Sequence, residues 1–323
     1  MRTTRPAVRR RLVAAFVAAG LGLGGLASGA APAVAAKDSA TTTGTLSWGV
    51  KSSLRSYVAR QLAVKPAAQK AVGSRIVLAG GTTFAGASTE AVDSVRESRA
   101  YRFPTRAVSG ASAATFRVAS AGTVTYHQGD HFTLRVSGVE VRSERGRVSV
   151  VGDVRLTAHA AFGGIAAGTT TTRRDVRLAT AAKATRTAAK GRVTVRATGL
   201  AMTAAGARAF GDLYAVGTPM DDLTVTFTSK ARATQKVASK VASSSRAKVA
   251  VRVTSTGLVA SGKVTVTATR GSAKVTRTAV LRSGRATVTL PHLAKGTWKI
   301  RTTYGGSATV TSARTTLATL KVL

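Results

Sequence analysis

Tyr57 closes the segment Ser47-Trp48-Gly49-Val50-Lys51-Ser52-Ser53-Leu54-Arg55-Ser56-Tyr57, a short amphipathic stretch on which a phenol could serve metal chemistry. An ionised phenol is a hard anionic oxygen donor of the kind that suits ferric iron. Its ordinary pKa near 10 means that the metal charge, helped by a hydrogen-bond donor, must favour the ionised form. The loop Tyr126-His127-Gln128-Gly129-Asp130-His131-Phe132 supplies two such donors. His131 is the preferred one, because it immediately precedes the resumed alternation Phe132, Leu134, Val136, whereas His127 is expected in the turn. Simpler readings stand beside these. Val50, Leu54, Tyr57 and Val58 recur at helical spacing, so Tyr57 also reads as an aromatic on a buried stripe. Both histidines also read as solvated loop residues. His127 and His131, four apart with Asp130 nearby, suit zinc only on a helix, and Gly129 in an alternating region argues against one.

Bond-making chemistry finds little to work with. There is no Gly-x-Ser-x-Gly elbow, no phosphate loop and no carboxylate pair in an informative context; Asp221-Asp222 reads as a turn and strand start. His159 falls in an alternating strand and reads as structural. The expectation is therefore of a binding protein and not an enzyme. With no cysteine in the chain, thiolate metal sites, Fe–S clusters and Cys-x-x-Cys-His attachment are excluded.

The elements that must position these residues follow from periodicity. A helix is expected over about 48–62 and a second near 204–213. Elsewhere hydrophobic residues alternate, as in Phe116-Val118, Val193-Val195 and Leu223-Val225-Phe227, which predicts antiparallel sheet. Residues 63–100, with Gly80-Gly81 and scattered small residues, read as a long mobile insertion. Residues 230–245 (KARATQKVASKVASSS) read as a basic linker or a marginal helix. After it come short alternating runs punctuated by Gly and Ser, as in a small sandwich.

Residues 1–36 have the pattern of a signal peptide: an Arg-rich start, an apolar run from Leu12 to Leu26 and small residues ending Ala33-Val34-Ala35-Ala36. Arg9-Arg10 fits either a general or a twin-arginine signal, and both lead out of the cytoplasm. The alternating end of the chain, Thr315 to Leu323, carries no hydrophobic tail, so no anchor is expected. Removing the five arginines of residues 1–36 takes the formal charge from +37 to +32. All 12 acidic residues lie between Asp38 and Asp222, and the 18 Lys and Arg from Leu223 onward face no Asp or Glu. Such a surface attracts polyanions without chemical selectivity. For a secreted protein the expected partners are anionic cell-wall polymers or a membrane surface, and no specific nucleic acid.

Three separated segments carry a family resemblance. Trp48-x-Val50-Lys51-x-Ser53-Leu54-Arg55-x-Tyr57 resembles the opening of an HtaA-type domain, with Leu54 at a position the family fills with Phe. Gly122 to Tyr126, His131 and Leu134 to Val141 are similar to its central hairpin, although the commoner family spacing puts the histidine where Gly129 stands. Phe210-Gly211-Asp212-Leu213-Tyr214-Ala215-Val216-Gly217-Thr218-Pro219-Met220-Asp221-Asp222-Leu223 resembles its closing motif. The resemblance implies non-covalent haem b, held through Tyr57 as axial ligand, with His131, or alternatively His127, supporting it. It also implies capture of ferric haem at the cell envelope for uptake or for transfer to a partner protein. The alternative is an adhesion or structural protein that keeps the fold without haem. Ser283 to Gly306, with Leu290-Pro291-x-Leu293 and Tyr304-Gly305-Gly306, resembles a bacterial Ig-like repeat. The expected organisation is a signal peptide at 1–36, an HtaA-like domain at 44–229, a linker at 230–245 and an Ig-like domain at 246–323. The fold class is mostly β, an antiparallel sheet domain with a few short helices followed by a β-sandwich.

Overall fold

The computed structural model describes residues 44–64, 74–85 and 100–323. The expected signal peptide lies outside the described residues. Among the described residues, eleven strands and two helices build the first part of the chain. In order they are β1 (Gly44–Trp48), α1 (Ser52–Val64), β2 (Arg75–Ala79), β3 (Thr83–Phe84), β4 (Tyr101–Ser112), β5 (Thr115–Ser120) and β6 (Thr123–Gln128). β7 (Phe132–Glu144), β8 (Arg147–Ala158), β9 (Thr170–Ala189), β10 (Arg192–Met202), α2 (Ala204–Ala209) and β11 (Leu223–Thr228) follow. The protein is mostly β with antiparallel sheets, as the alternation predicts.

Eight of these strands close on themselves. Pairing runs β7-β5-β4-β1-β11-β10-β9-β8, and β8 returns to β7. Closure depends on a bulge in β7 between Ser137 and Glu140, where Gly138 adopts φ 58°. Before the bulge one edge of β7 pairs with β6, and after it with β5. Bulges of this kind bend a strand and increase its twist, which lets a long strand serve two neighbours. Inward residues fill the barrel: Trp48, Phe103, Phe116, Leu134, Val195 and Phe227 are all buried. An eight-stranded interior is just wide enough for side chains to occupy it, so this barrel is a packed core.

The segment expected as a mobile insertion is partly strand. β2 pairs with β6 and β3 with β4. The turn between them is Gly80-Gly81, both at positive φ, closed by the Thr82 N–H donating to the Ala79 carbonyl at 3.3 Å. Residues 65–73 and 86–99 lie outside the described residues.

The second part contains β12 (Ala231–Val237), β13 (Lys240–Val241), β14 (Lys248–Ser255), β15 (Lys263–Arg270), β16 (Ala273–Val280), β17 (Arg285–Thr289), β18 (Gly296–Tyr304), β19 (Ala313–Arg314) and β20 (Ala318–Val322). They form a sheet β12-β14-β17 and a sheet β13-β20-β18-β15-β16, with β19 on β18. Residues 230–245, expected as a linker, thus carry two strands. The alternation of β12 is weak in sequence because its inward positions are Ala231, Ala233, Gln235 and Val237, small or polar. Gln235 is satisfied inside, donating to the Ile300 carbonyl at 2.9 Å and accepting from Thr302 Oγ1 at 2.6 Å. Nor does the chain swing freely at the junction. Ser229 is buried, its carbonyl accepts from the Thr311 N–H at 2.9 Å, and its hydroxyl accepts from the Leu258 N–H at 3.1 Å.

Candidate functional site

α1 sits on β2 and β6 at one end of the barrel. It starts at Ser52, later than the periodicity suggested, because Trp48 belongs to β1 and Val50 turns the chain at φ 63°. Positive φ is a strained conformation for a β-branched residue, costing about 1–3 kcal/mol. Burial of the Val50 side chain and a bond from the Asp221 N–H to its carbonyl at 3.1 Å hold it there.

The helix has no acid in its own first turn. Asp221, just before β11, supplies one: Oδ1 accepts the Ser52 N–H at 2.7 Å, and Oδ2 pairs with the buried Arg55 guanidinium. A carboxylate here satisfies an open N–H and opposes the positive end of the helix dipole. Arg55 also donates to the Gly49 carbonyl. A Cβ on Gly49 would run into both partners, so this corner needs glycine. Trp48 Nε1 donates to the Asp221 carbonyl at 3.0 Å. Asp221, read from sequence as a strand-start residue, is therefore the post that fixes α1.

With Leu54 and Val58 buried toward the barrel, Tyr57 falls off the buried stripe and is 42% exposed. It lines a cavity of about 190 Å3. Leu54 shares the helix side of it, and His131 and Phe132 at the start of β7 form another wall. Phe162 covers a third side, on a hairpin closed by reciprocal backbone bonds between Phe162 and Ile165 and turned by Gly163-Gly164, both at positive φ. Phe132 and Phe162 meet with centroids 5.9 Å apart. Leu213 and Tyr214 complete the lining. They arrive there because α2, capped by Thr203 Oγ1 accepting the Gly206 N–H at 2.9 Å, ends at Phe210, and Gly211 turns the chain at φ 67°.

Tyr214 differs from Tyr57 in setting. Burial pushes its hydroxyl above the usual phenol range, partly offset by a hydrogen bond with Ser53, and the nearby Tyr57 adds to the rise. Lys51 lies 5.4 Å from the centroid of the Tyr214 ring and donates to the Pro219 carbonyl at 2.9 Å. Beneath α1, burial and the adjacent Tyr101 raise the Tyr126 hydroxyl well above its ordinary value. Burial thus holds Tyr214 as a neutral phenol in the cavity lining.

The two loop histidines part company. The turn closes with the His131 N–H donating to the Gln128 carbonyl at 2.9 Å, which leaves His131 exposed at the cavity. His127 is in β6, paired with Arg75 and Thr133, and not in the turn as expected. Its ring meets Thr133 Oγ1 at 3.2 Å, and that hydroxyl meets His159 Nε2 at 2.8 Å. The i, i+4 zinc pair therefore does not assemble. Tyr57 and His131 share one cavity, and His127 lies outside it. Phe162, Leu213 and Tyr214 were missed in sequence as site residues; the Gly163-Gly164 pair and the closing motif were the available signals.

Three solved structures from Corynebacterium glutamicum are similar, each across 58% of this chain. They are the C-terminal domain of HtaA (16% identity, TM-score 0.44, 96% of that chain), the heme binding protein HtaB (19%, 0.42, 93%) and the N-terminal domain of HtaA (21%, 0.39, 96%). No curated protein matches in sequence. The sequence profile described as Htaa matches residues 43–226, more than half of the chain, and covers all of the closed barrel but the last two residues of β11, with every residue lining the cavity. On that match the chain belongs to the HtaA family.

Proposed function

We propose that the protein binds ferric haem b non-covalently, with Tyr57 as the iron ligand, and that it is a secreted protein whose work is capture and release of that haem. The observation that carries this reading is the placement of Tyr57: a half-exposed phenol on a helix that buries Leu54 and Val58, directed to a cavity walled by Leu54, Phe132, Phe162 and Leu213. Those walls fit a flat apolar ring, and the phenol fits a hard cation at its centre. At about 190 Å3 the cavity is smaller than the roughly 300–1,000 Å3 of an ordinary ligand pocket, so it clasps part of such a ligand and leaves the rest to solvent.

Haem would supply the iron that makes Tyr57 a ligand. The chain's own residues do the rest. α1, fixed by Asp221, sets the direction of the phenol. His131 offers an N–H to hold its ionised oxygen, and Tyr214 stays a neutral hydroxyl that does not compete for the charge. The apolar walls exclude water from one face. HtaB, one of the similar solved structures, bears the description heme binding. Titration of the protein with ferric haem tests the reading: a shifted Soret band saturating at one haem per chain supports it. A free-haem spectrum at every ratio would favour an adhesion or structural protein that keeps the fold alone.

A further inference from the structure

The β12-β14-β17 sheet presents its outer face to solvent with its cations in register. Arg252 stands directly opposite Arg285 on β17 and opposite Thr234 on β12. The next row holds Lys236, Ala250 and Thr287, while Arg232 and Lys248 extend the same face toward its two ends. All five cations are exposed, and the alternate residues Val249, Val251, Val253 and Val288 point into the core.

Like charges directly opposite across a strand pair are destabilising, and a sheet normally offsets them with carboxylates. No Asp or Glu follows Asp222 in the sequence, so none is available within this part of the chain. A groove of about 640 Å3 lies over this face, bordered by Ala279 and Val280 of β16 and by Arg282. The groove thus combines a floor of unneutralised cations with a raised rim. Such a cleft focuses a positive potential, and guanidinium groups bind phosphate oxygens in pairs.

We propose that this groove binds a flexible single-chain phosphate polymer, with Arg252 and Arg285 at its centre. Its lining contains no aromatic side chain on which bases could stack, which speaks against single-stranded nucleic acid. A rimmed groove also suits a thin chain better than the flat plane of a bilayer or the girth of a duplex. The inference is independent of haem.

The test is equilibrium binding of the full chain to linear inorganic polyphosphate across a salt series. Duplex DNA and phosphatidylglycerol vesicles are run in parallel. The double variant Arg252→Gln/Arg285→Gln should weaken polyphosphate binding about tenfold or more and reduce the salt slope by about two. Lys236→Gln should give a smaller loss in the same direction. The control Arg147→Gln/Arg192→Gln removes equal charge from exposed positions of the barrel and should change binding less than twofold. Because the central pair repels, its removal should leave the melting temperature unchanged or raised, which keeps a loss of binding distinct from a loss of fold. An equal loss in the control would overturn the proposal in favour of diffuse attraction. Stronger binding to duplex or vesicles than to polyphosphate would overturn it as well, and so would no binding at low salt.

Discussion

Arg55 and Asp221, 166 positions apart in sequence, form an ion pair at the foot of α1, with side chains 6% and 19% exposed. The pair ties the segment that carries Tyr57 to the segment that opens the last barrel strand. Since Asp221 also caps the helix at Ser52, a single carboxylate fixes both the position and the start of α1. The direction of the Tyr57 side chain is therefore set by a residue that does not line the cavity.

Asp221→Ala should destabilise the protein by about 3 kcal/mol, since it removes an ion-pair partner of the buried Arg55 guanidinium together with a helix cap. Chemical denaturation measures this. A loss below about 0.5 kcal/mol would mean that the pair is an incidental surface contact.

The loop histidines should separate in haem retention. His131→Ala should weaken it by about 10–100-fold, the usual cost of a lost partner to a metal ligand, and His127→Ala should change it little. Competition with apomyoglobin reads both. Reversed effects would place the supporting donor on the far side of the hairpin.

His127 also predicts a pH dependence. Burial, then Arg75 and His159, lower its pKa below the ordinary 6.5. The unfolded chain then takes up a proton where the folded one does not, so stability falls as the pH drops through about 6.5 and levels off below the folded pKa. His127→Gln should shrink the difference in melting temperature between pH 7 and pH 5. An unchanged difference would show that another group carries the proton uptake.

Gly163 and Gly164 turn the hairpin that bears Phe162, at φ 53° and 77°. Replacing both by Ala strains a turn that only glycine adopts freely, and the hairpin should lift from the cavity. Haem should then dissociate faster, with little change in the barrel's melting temperature. Unchanged dissociation would remove Phe162 from the site.

Much of this was legible in sequence, and the exceptions have physical causes. Leu223, Val225 and Phe227 alternate and are all buried, because a half-buried strand must repeat every two residues. The same period could have turned His127 away from the cavity, since it follows the inward Tyr126 by one residue. Asp221 could not be identified as the cap of α1, because that contact spans 169 positions and depends on how the barrel closes. β12 reads as a linker in sequence because Ala233 and Gln235 carry no strong hydrophobic signal, even though both pack inward. Tyr57 looked like one of a buried stripe, and only the packing of Leu54 and Val58 shows that it stands off it.

Resonance Raman spectroscopy of the ferric haem complex, comparing wild-type protein with Tyr57→Phe, tests the central claim most directly. Iron–phenolate vibrations should be present in the wild type and absent from the variant, and the variant should lose haem on gel filtration. Phenolate vibrations that persist in Tyr57→Phe, or a wild-type complex that never shows them, would contradict Tyr57 as the iron ligand.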